Sequence, residues 1–138
     1  IGVKKFIPLL CERSVVREVN VERIKKIAIE ASEQSNRISV PEILQKQDLQ
    51  NFLKYFPENG NLVFCDINFK SNNLKNLISK SGPTCVLIGP EGDFSEKERQ
   101  LILNHKRTIP ISLAKNILRA ETAAIAATTI ISYKFYFS

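Results

Sequence analysis

Short apolar runs alternate with longer amphipathic stretches along most of the chain. Strands are predicted at residues 3–10, 62–65, 84–88 and 108–111, where apolar and β-branched residues end at polar or turn residues. Helices are predicted after the caps Asn20 and Asp48 and at residues 73–80, 95–105 and 120–137. Strands that alternate with helices favour an α/β fold, a parallel sheet with helices on both faces.

The first helix is predicted to bury one face. Its apolar residues recur at helical spacing: Val21, Ile24, Ile27, Ala28 and Ala31. The helix after Asp48 also carries apolar residues, and Pro57 follows it before the next strand.

A candidate binding loop follows the strand at 84–88. Gly89-Pro90 and Gly92 interrupt the chain, so the backbone there can approach a ligand closely. Ser95 and Glu98 have the spacing of a capping box, which predicts a helix start. A strand, a glycine loop and a helix start form a ligand cradle in open α/β sheets, although a plain surface turn has the same pattern. The segment is not a phosphate loop, because no Gly-Lys-Ser/Thr follows.

A second candidate loop, residues 112–119, follows the strand at 108–111. Its apolar Leu113, Ile117 and Leu118 could cover a flat ring, and Arg119 and Glu121 place opposite charges beside them. The alternative is a loop that leads into a helix, with Glu121 facing the positive end of the helix dipole.

Composition narrows the class of protein. A chain of 138 residues with 43% hydrophobic and 25% charged residues indicates one globular domain. A net charge of +6 favours an anionic partner. Cys11, Cys65 and Cys85 lie far apart, which indicates reduced thiols and a cytoplasmic protein. His105 is the sole histidine, so no metal is expected. The apolar run at 123–137 contains polar residues, which favours a packed helix over a membrane span.

Two motifs carry a resemblance to a known family. They are Gly89-Pro90-Glu91-Gly92-Asp93-Phe94-Ser95 and Ile117-Leu118-Arg119-Ala120-Glu121-Thr122-Ala123. Further matching blocks are Ile7-Pro8-Leu9, Glu12-Arg13-Ser14-Val15-Val16, and Glu33-Gln34-Ser35 with Arg37 and Pro41. Together they resemble the bacterial 16S rRNA uridine-N3 methyltransferase family of the SPOUT superfamily, over essentially all 138 residues.

This resemblance implies a fold, a reaction and partners. The fold is a SPOUT methyltransferase domain, mostly parallel, with a deep trefoil knot near the C-terminus. The reaction is transfer of a methyl group from S-adenosylmethionine, leaving S-adenosylhomocysteine, to N3 of a uridine in 16S rRNA of the small ribosomal subunit. A homodimer through the knotted region is expected, with no membrane contact. Members of this family usually carry an N-terminal PUA-like RNA-binding domain. Residues 1–138 lack it and correspond to the methyltransferase domain alone, and Ile1 is not expected to be the native start.

The resemblance also assigns roles to residues. Cofactor contacts fall on Leu87, Ile88, Gly89, Pro90, Glu91, Gly92, Leu113, Ala114, Asn116, Ile117, Leu118 and Ala123. The catalytic residues are Arg119, for the uracil oxygens, and Glu121 or Glu91, for the N3 proton or for orienting Arg119. A structural ion pair between Arg119 and either carboxylate is the alternative. RNA contacts fall on Arg13, Gln34, Asn36 and Arg37, although Arg13 could instead pair with Glu12.

Three residues depart from the family pattern. Asp93 and Ala114 stand where glycine is frequent, and Asn116 stands where arginine is common. A positive φ at Ala114 would be strained. Two alternatives stay open. Without the N-terminal RNA-binding domain, residues 1–138 could be a non-catalytic RNA- or nucleotide-binding domain. The resemblance to SPOUT proteins also allows methylation of another RNA such as tRNA. Asp66, directly after a predicted strand, could meet a ligand ribose or bind loop amides.

Overall fold

A computed structural model describes residues 1–70 and 82–137. The strands within these ranges are β1 (Lys5–Phe6), β2 (Leu9–Leu10), β3 (Glu42–Ile43), β4 (Gln47–Asp48), β5 (Asn61–Cys65), β6 (Thr84–Leu87) and β7 (Thr108–Ile111). The helices there are α1 (Val21–Gln34), α2 (Leu49–Lys54), α3 (Glu96–Asn104) and α4 (Ala120–Phe137). The helix predicted at residues 73–80 lies outside the described residues.

The strand predicted at residues 3–10 is two short strands. β1 pairs in parallel with β3, and β2 pairs in parallel with β4. Pro8 interrupts the run because it has no N–H to donate, although its carbonyl oxygen accepts a bond of 3.1 Å from the Gln47 amide. β3 and β4 were not predicted from the sequence. Each has only two residues, and the polar residues Glu42, Gln47 and Asp48 among them do not form an apolar run.

The central sheet has the order β6-β5-β7, and both pairings are parallel. β5 is buried on both faces. Leu62 and Phe64 pack with residues of α2 and α3, whereas Val63 packs with Ile131 of α4 on the opposite face. The predicted parallel sheet with helices on both faces is therefore confirmed. Because the strands are parallel, the loops after Cys65, Leu87 and Ile111 all leave the same edge of the sheet.

The predicted starts of the described helices are confirmed, whereas the predicted buried face of α1 is partly wrong. The Asn20 side chain caps α1 at the Arg23 amide, and Ser95 with Glu98 forms the predicted capping box of α3. The predicted buried face of α1 is wrong at Ile27, which is 54% exposed, and at Ala31, which is also exposed. The reason is that α1 packs against β3, a strand of two residues that is too short to cover the face.

Helix α4 lies across the sheet. Ala127 and Ile131 are buried, and Ile131 contacts the face of the sheet that Val63 and Ile111 form. Within residues 1–70 and 82–137, no helix combines the length and the apolar character needed to cross a bilayer.

We expect Gly82→Ala to lower the free energy of unfolding by roughly 2–3 kcal/mol. Gly82 has a φ of +134°, and an added Cβ would overlap the backbone carbonyl of Asn59. Gly2→Ala is the matched control, because Gly2 has a φ of +86° and nothing lies within 4 Å of its added Cβ. Urea unfolding of both variants measures the difference. Equal losses would contradict the steric argument.

Candidate functional site

A pocket of about 580 Å³ opens where β5, β6 and β7 end. Its lining comes from three separate segments of the chain, namely residues 65–67, 88–93 and 113–123 without 115 and 122. Each segment lies at the carboxyl end of one strand of the central sheet. Parallel pairing therefore brings the two candidate loops of the sequence to one cavity. Its volume lies within the range typical of small-molecule sites.

The pocket contains most residues to which the sequence assigned a cofactor contact. Ile88, Gly89, Pro90, Glu91, Gly92, Leu113, Ala114, Asn116, Ile117, Leu118 and Ala123 all line it, as do the three candidate catalytic residues. Leu87 does not line it, because its side chain is 4% exposed and packs in the core below. Cys65, Ile67, Asp93 and Ala120 line the pocket although none was assigned a contact.

The first pocket loop is a tight turn. The Asp93 amide donates to the Pro90 carbonyl oxygen at 2.8 Å, and Asp93 has a φ of +60°. Aspartate tolerates this left-handed conformation because its short side chain bonds locally. Here Asp93 Oδ1 accepts from the Phe94 amide at 2.8 Å. Asp93 therefore fills a glycine-like backbone position at modest cost and adds a carboxylate to the pocket.

The second pocket loop contains an internal hydrogen bond. Ser112 Oγ donates to the carbonyl oxygen of Ala114 at 3.2 Å. Ala114 does not have a positive φ, so the strain expected from its missing glycine does not arise. Leu113 and Leu118 are half-buried, whereas Ile117 is 83% exposed. This loop presents an apolar wall to the cavity.

Asp66 forms part of the pocket wall and bonds both a loop amide and an arginine. Its Oδ1 accepts from the Asn68 amide at 3.0 Å. Its Oδ2 accepts from Arg99 Nε at 2.9 Å and from Arg99 Nη2 at 2.7 Å. These bonds to the Asp66 carboxylate raise the pKa of Arg99. The expectation that Asp66 binds a loop amide is confirmed. The bond to Arg99 also connects α3 to the end of β5. The sequence indicated a ligand-facing or loop-binding role for Asp66 because this aspartate directly follows an apolar strand.

The candidate catalytic residues are charged, exposed and close to one pocket. Arg119, Glu91 and Glu121 all line it. Among the residues that the structure describes, no ion pair joins Arg119 to Glu91 or to Glu121. The alternative of a structural ion pair at Arg119 is therefore not observed. The pocket offers one cation and several carboxylates to a ligand.

Covalent catalysis by Cys65 is not favoured. Burial raises the pKa of the Cys65 thiol to about 12, so the thiol is neutral near pH 7 and a weak nucleophile. In residues 1–70 and 82–137, no group of histidine, cysteine, aspartate or glutamate side chains is arranged to hold a metal ion.

The residues assigned to RNA lie outside this pocket. Arg13 Nη1 donates to the Gly92 carbonyl oxygen at 3.2 Å, and Arg37 Nη1 donates to the Val3 carbonyl oxygen at 3.0 Å. Gln34 and Asn36 are exposed at the end of α1, and Asn36 has a φ of +53°. The two arginines thus make contacts within the chain, whereas Gln34 and Asn36 face solvent.

Comparison with known proteins decides the family. A model of the RNA methyltransferase domain matches residues 1–132. The chain belongs to this family. The resemblance drawn from the two loop motifs is confirmed, because its relatives in this family are named as small-subunit rRNA methyltransferases.

Three relatives illustrate the similarity. The ribosomal RNA small subunit methyltransferase E of Rickettsia conorii is 41% identical over 132 residues, which are 92% of this chain and 52% of that protein. The protein of the same name from Aquifex aeolicus is 32% identical, covering 95% of this chain and 57% of its own length. A crystal structure of the Neisseria gonorrhoeae protein of this name, bound to S-adenosylmethionine, matches with a TM-score of 0.84. It is 30% identical and covers 97% of this chain and 55% of that one. The chain spans about half the length of the relatives it matches.

We expect Arg99→Ala to lower the free energy of unfolding by roughly 3 kcal/mol, because it leaves the Asp66 carboxylate buried without its cation. The Asp66 side chain is 2% exposed and the Arg99 side chain 21%. Lys97→Ala, at an exposed position of the same helix, is the control and should change little. Urea unfolding at pH 7 measures both. A loss at Arg99 no larger than at Lys97 would contradict a structural role for the pair.

Proposed function

We propose that this chain is a methyltransferase domain that transfers a methyl group from S-adenosylmethionine to N3 of a uridine in 16S rRNA. The observation that supports this most directly is the pocket at the carboxyl edge of the sheet, lined by both loop motifs. A family relative with a TM-score of 0.84 is bound to S-adenosylmethionine. The proposal covers residues 1–138 as one SPOUT domain acting in the cytoplasm on the small ribosomal subunit.

The residues of the pocket fit this methyl donor. Ile88, Leu113 and Leu118 supply apolar surface for the adenine ring. Glu91 and Asp93 bring negative charge to the same cavity, which complements a cationic sulfonium, whereas the charge of Asp66 is paired with Arg99. Apolar surface and carboxylates are groups that suit a nucleoside with a positive sulfur.

S-adenosylmethionine supplies an electrophilic methyl group, and the protein aligns it with the uracil. The N3–carbon bond forms as the sulfur–carbon bond breaks, which leaves neutral S-adenosylhomocysteine. The N3 proton passes to a carboxylate, Glu121 or Glu91. Arg119 stabilises the negative charge that develops on the uracil oxygens. Arg119 suits this role because no carboxylate of the described chain holds it in an ion pair.

Gln34 and Asn36 are proposed to contact RNA from the end of α1, where both are exposed. Arg13 and Arg37 are kept as candidates whose intramolecular bonds would have to coexist with RNA. The net charge of +6 favours the approach of a polyanion. A footprint of the chain on 16S rRNA that is unchanged by Gln34→Ala with Asn36→Ala would remove these two residues from the interface.

A homodimer and a knot are further parts of this proposal. α4 exposes Ile125 and Phe135, at 58% and 51%, although much of the helix is apolar. The chain leaves β7 on one side of β5, and α4 returns to pack on β6 on the other side. Such a return is compatible with the deep trefoil knot that the SPOUT resemblance implies. An experimental structure of the S-adenosylmethionine complex would trace the crossing directly.

We expect saturable binding of one S-adenosylmethionine per chain by calorimetry. Arg119→Ala should lower kcat on small ribosomal subunits about 100-fold and change cofactor affinity little, because Arg119 acts on charge that develops during transfer. Lys115→Ala is the control, since Lys115 is exposed in the same loop and does not line the pocket.

Three outcomes would contradict this proposal. Absence of cofactor binding by folded protein would favour a non-catalytic domain. Methylation of tRNA instead of 16S rRNA would correct the substrate. An Arg119→Ala variant that loses cofactor affinity but keeps kcat would move Arg119 from the uracil to the cofactor.

We expect Ile125→Glu to convert the proposed dimer to a monomer, because a charge would be buried in an apolar contact. Ile38→Glu is the control, since Ile38 is fully exposed outside α4. Light scattering with size-exclusion chromatography measures the mass of both variants. A wild-type mass of one chain, or a dimer that Ile125→Glu leaves intact, would contradict an interface on α4.

A further inference from the structure

The turn formed by residues 11–14, directly after β2, lies against the first pocket loop. Arg13 Nη1 donates to the Gly92 carbonyl oxygen at 3.2 Å and approaches the Phe94 carbonyl oxygen at 3.5 Å. These carbonyl groups stand on either side of Asp93, where the chain has a positive φ. One guanidinium therefore bridges the sharpest bend of the loop. Arg13 itself does not line the pocket.

Glu98 forms a second connection between the turn at residues 11–14 and the end of the first pocket loop. Its Oε1 accepts from the Glu12 amide at 2.9 Å, and its Oε2 accepts from the Ser95 amide at 3.0 Å. Glu98 is 6% exposed, and both bonds are partly buried. Bonds from a carboxylate to two backbone amides are stronger than neutral ones. The turn and the end of the loop are thus both attached to the first turn of α3.

The turn is itself rigid and lies very close to the loop. The Cys11 amide donates to Ser14 Oγ, and the Ser14 amide donates to the Cys11 carbonyl oxygen, both at 3.1 Å. A Cβ added to Gly92 would lie 3.2 Å from the Cβ of Arg13 and 3.4 Å from its carbonyl oxygen. Glycine at position 92 therefore permits this close approach of turn and loop.

We propose that Arg13 and Glu98 are positioning residues that hold residues 89–93 in the conformation that binds the methyl donor. This inference rests on the proposed function of the pocket. A loop that is ordered before the ligand arrives spares the entropy of ordering it on binding. Arg13 acts through the Gly92 peptide group, so its effect falls on cofactor affinity. This intramolecular role is separate from the RNA contact proposed for Arg13 and does not depend on it.

The first test uses the ligand-free protein. In Arg13→Ala, hydrogen exchange at the Asp93 amide, which bonds to the Pro90 carbonyl oxygen, should be about 10-fold faster. Exchange at the Arg99 amide inside α3 should not change, which shows that the helix stays folded. Arg23→Ala is the matched control, because Arg23 is exposed on α1 and outside the pocket. Unchanged exchange at Asp93 would overturn the proposal.

The second test measures cofactor binding and turnover. Arg13→Ala should bind S-adenosylmethionine about 10-fold more weakly by calorimetry, whereas Arg23→Ala should match the wild type. Arg13→Lys should recover part of the loss, because an ammonium can reach one of the two carbonyl oxygens. At saturating cofactor, kcat of Arg13→Ala should return close to the wild-type value. A purely structural defect would lower kcat as well.

The outcomes separate this proposal from the proposed function. Wild-type protein that binds no S-adenosylmethionine overturns the proposed function, and the exchange measurement still decides whether Arg13 orders the loop. Faster exchange with unchanged cofactor affinity overturns the positioning role. Weaker rRNA binding with unchanged cofactor affinity also overturns it, in favour of direct contact between Arg13 and RNA.

Discussion

The parallel pairing of β5 with β6 and β7 is the constraint on which the site depends. β5 is buried on both faces, with Leu62 and Val63 fully inaccessible to solvent. Its alternating side chains contact α2 and α3 on one face and α4 on the other, so a shift in its register would misplace both cores. With the register fixed, three loops distant in sequence must leave the sheet at one edge, where the pocket lies.

The pocket loops lie beyond the paired residues of the strands. Side-chain contacts help to fix their positions. The Asp66–Arg99 pair fixes the end of β5 against α3, and Glu98 attaches the N-terminal turn to the same helix. The first turns of α3 therefore support the pocket loops through two buried carboxylates, Asp66, which bonds to Arg99 of α3, and Glu98 of α3 itself. Buried carboxylates need such partners, because an unpaired charge in the interior is costly. The same bonds that satisfy these charges also orient the pocket wall.

The charges inside the pocket differ from those over the whole chain. The chain carries a net charge of +6, whereas the pocket lining holds Glu91, Asp93, Glu121 and Arg119, together with Asp66, whose charge is paired with Arg99. A net positive charge attracts a polyanion, and carboxylates in a pocket attract a cationic small molecule. The two charge patterns are the ones that the proposed reaction would require. The membership of this chain in an RNA methyltransferase family agrees with that division.

The sequence by itself determined the family, the central strands, the helix caps and the two loops, because these features depend on local spacing. Gly89-Pro90-Glu91-Gly92 and the Ser95–Glu98 capping box are short-range patterns that neighbouring residues enforce. Only the tertiary structure decided which residues meet. It showed β3 and β4, the exposure of Ile27, the pairing of Asp66 with Arg99 and the contact of Arg13 with Gly92. The last of these joins residues 79 positions apart, and no local periodicity records such a contact.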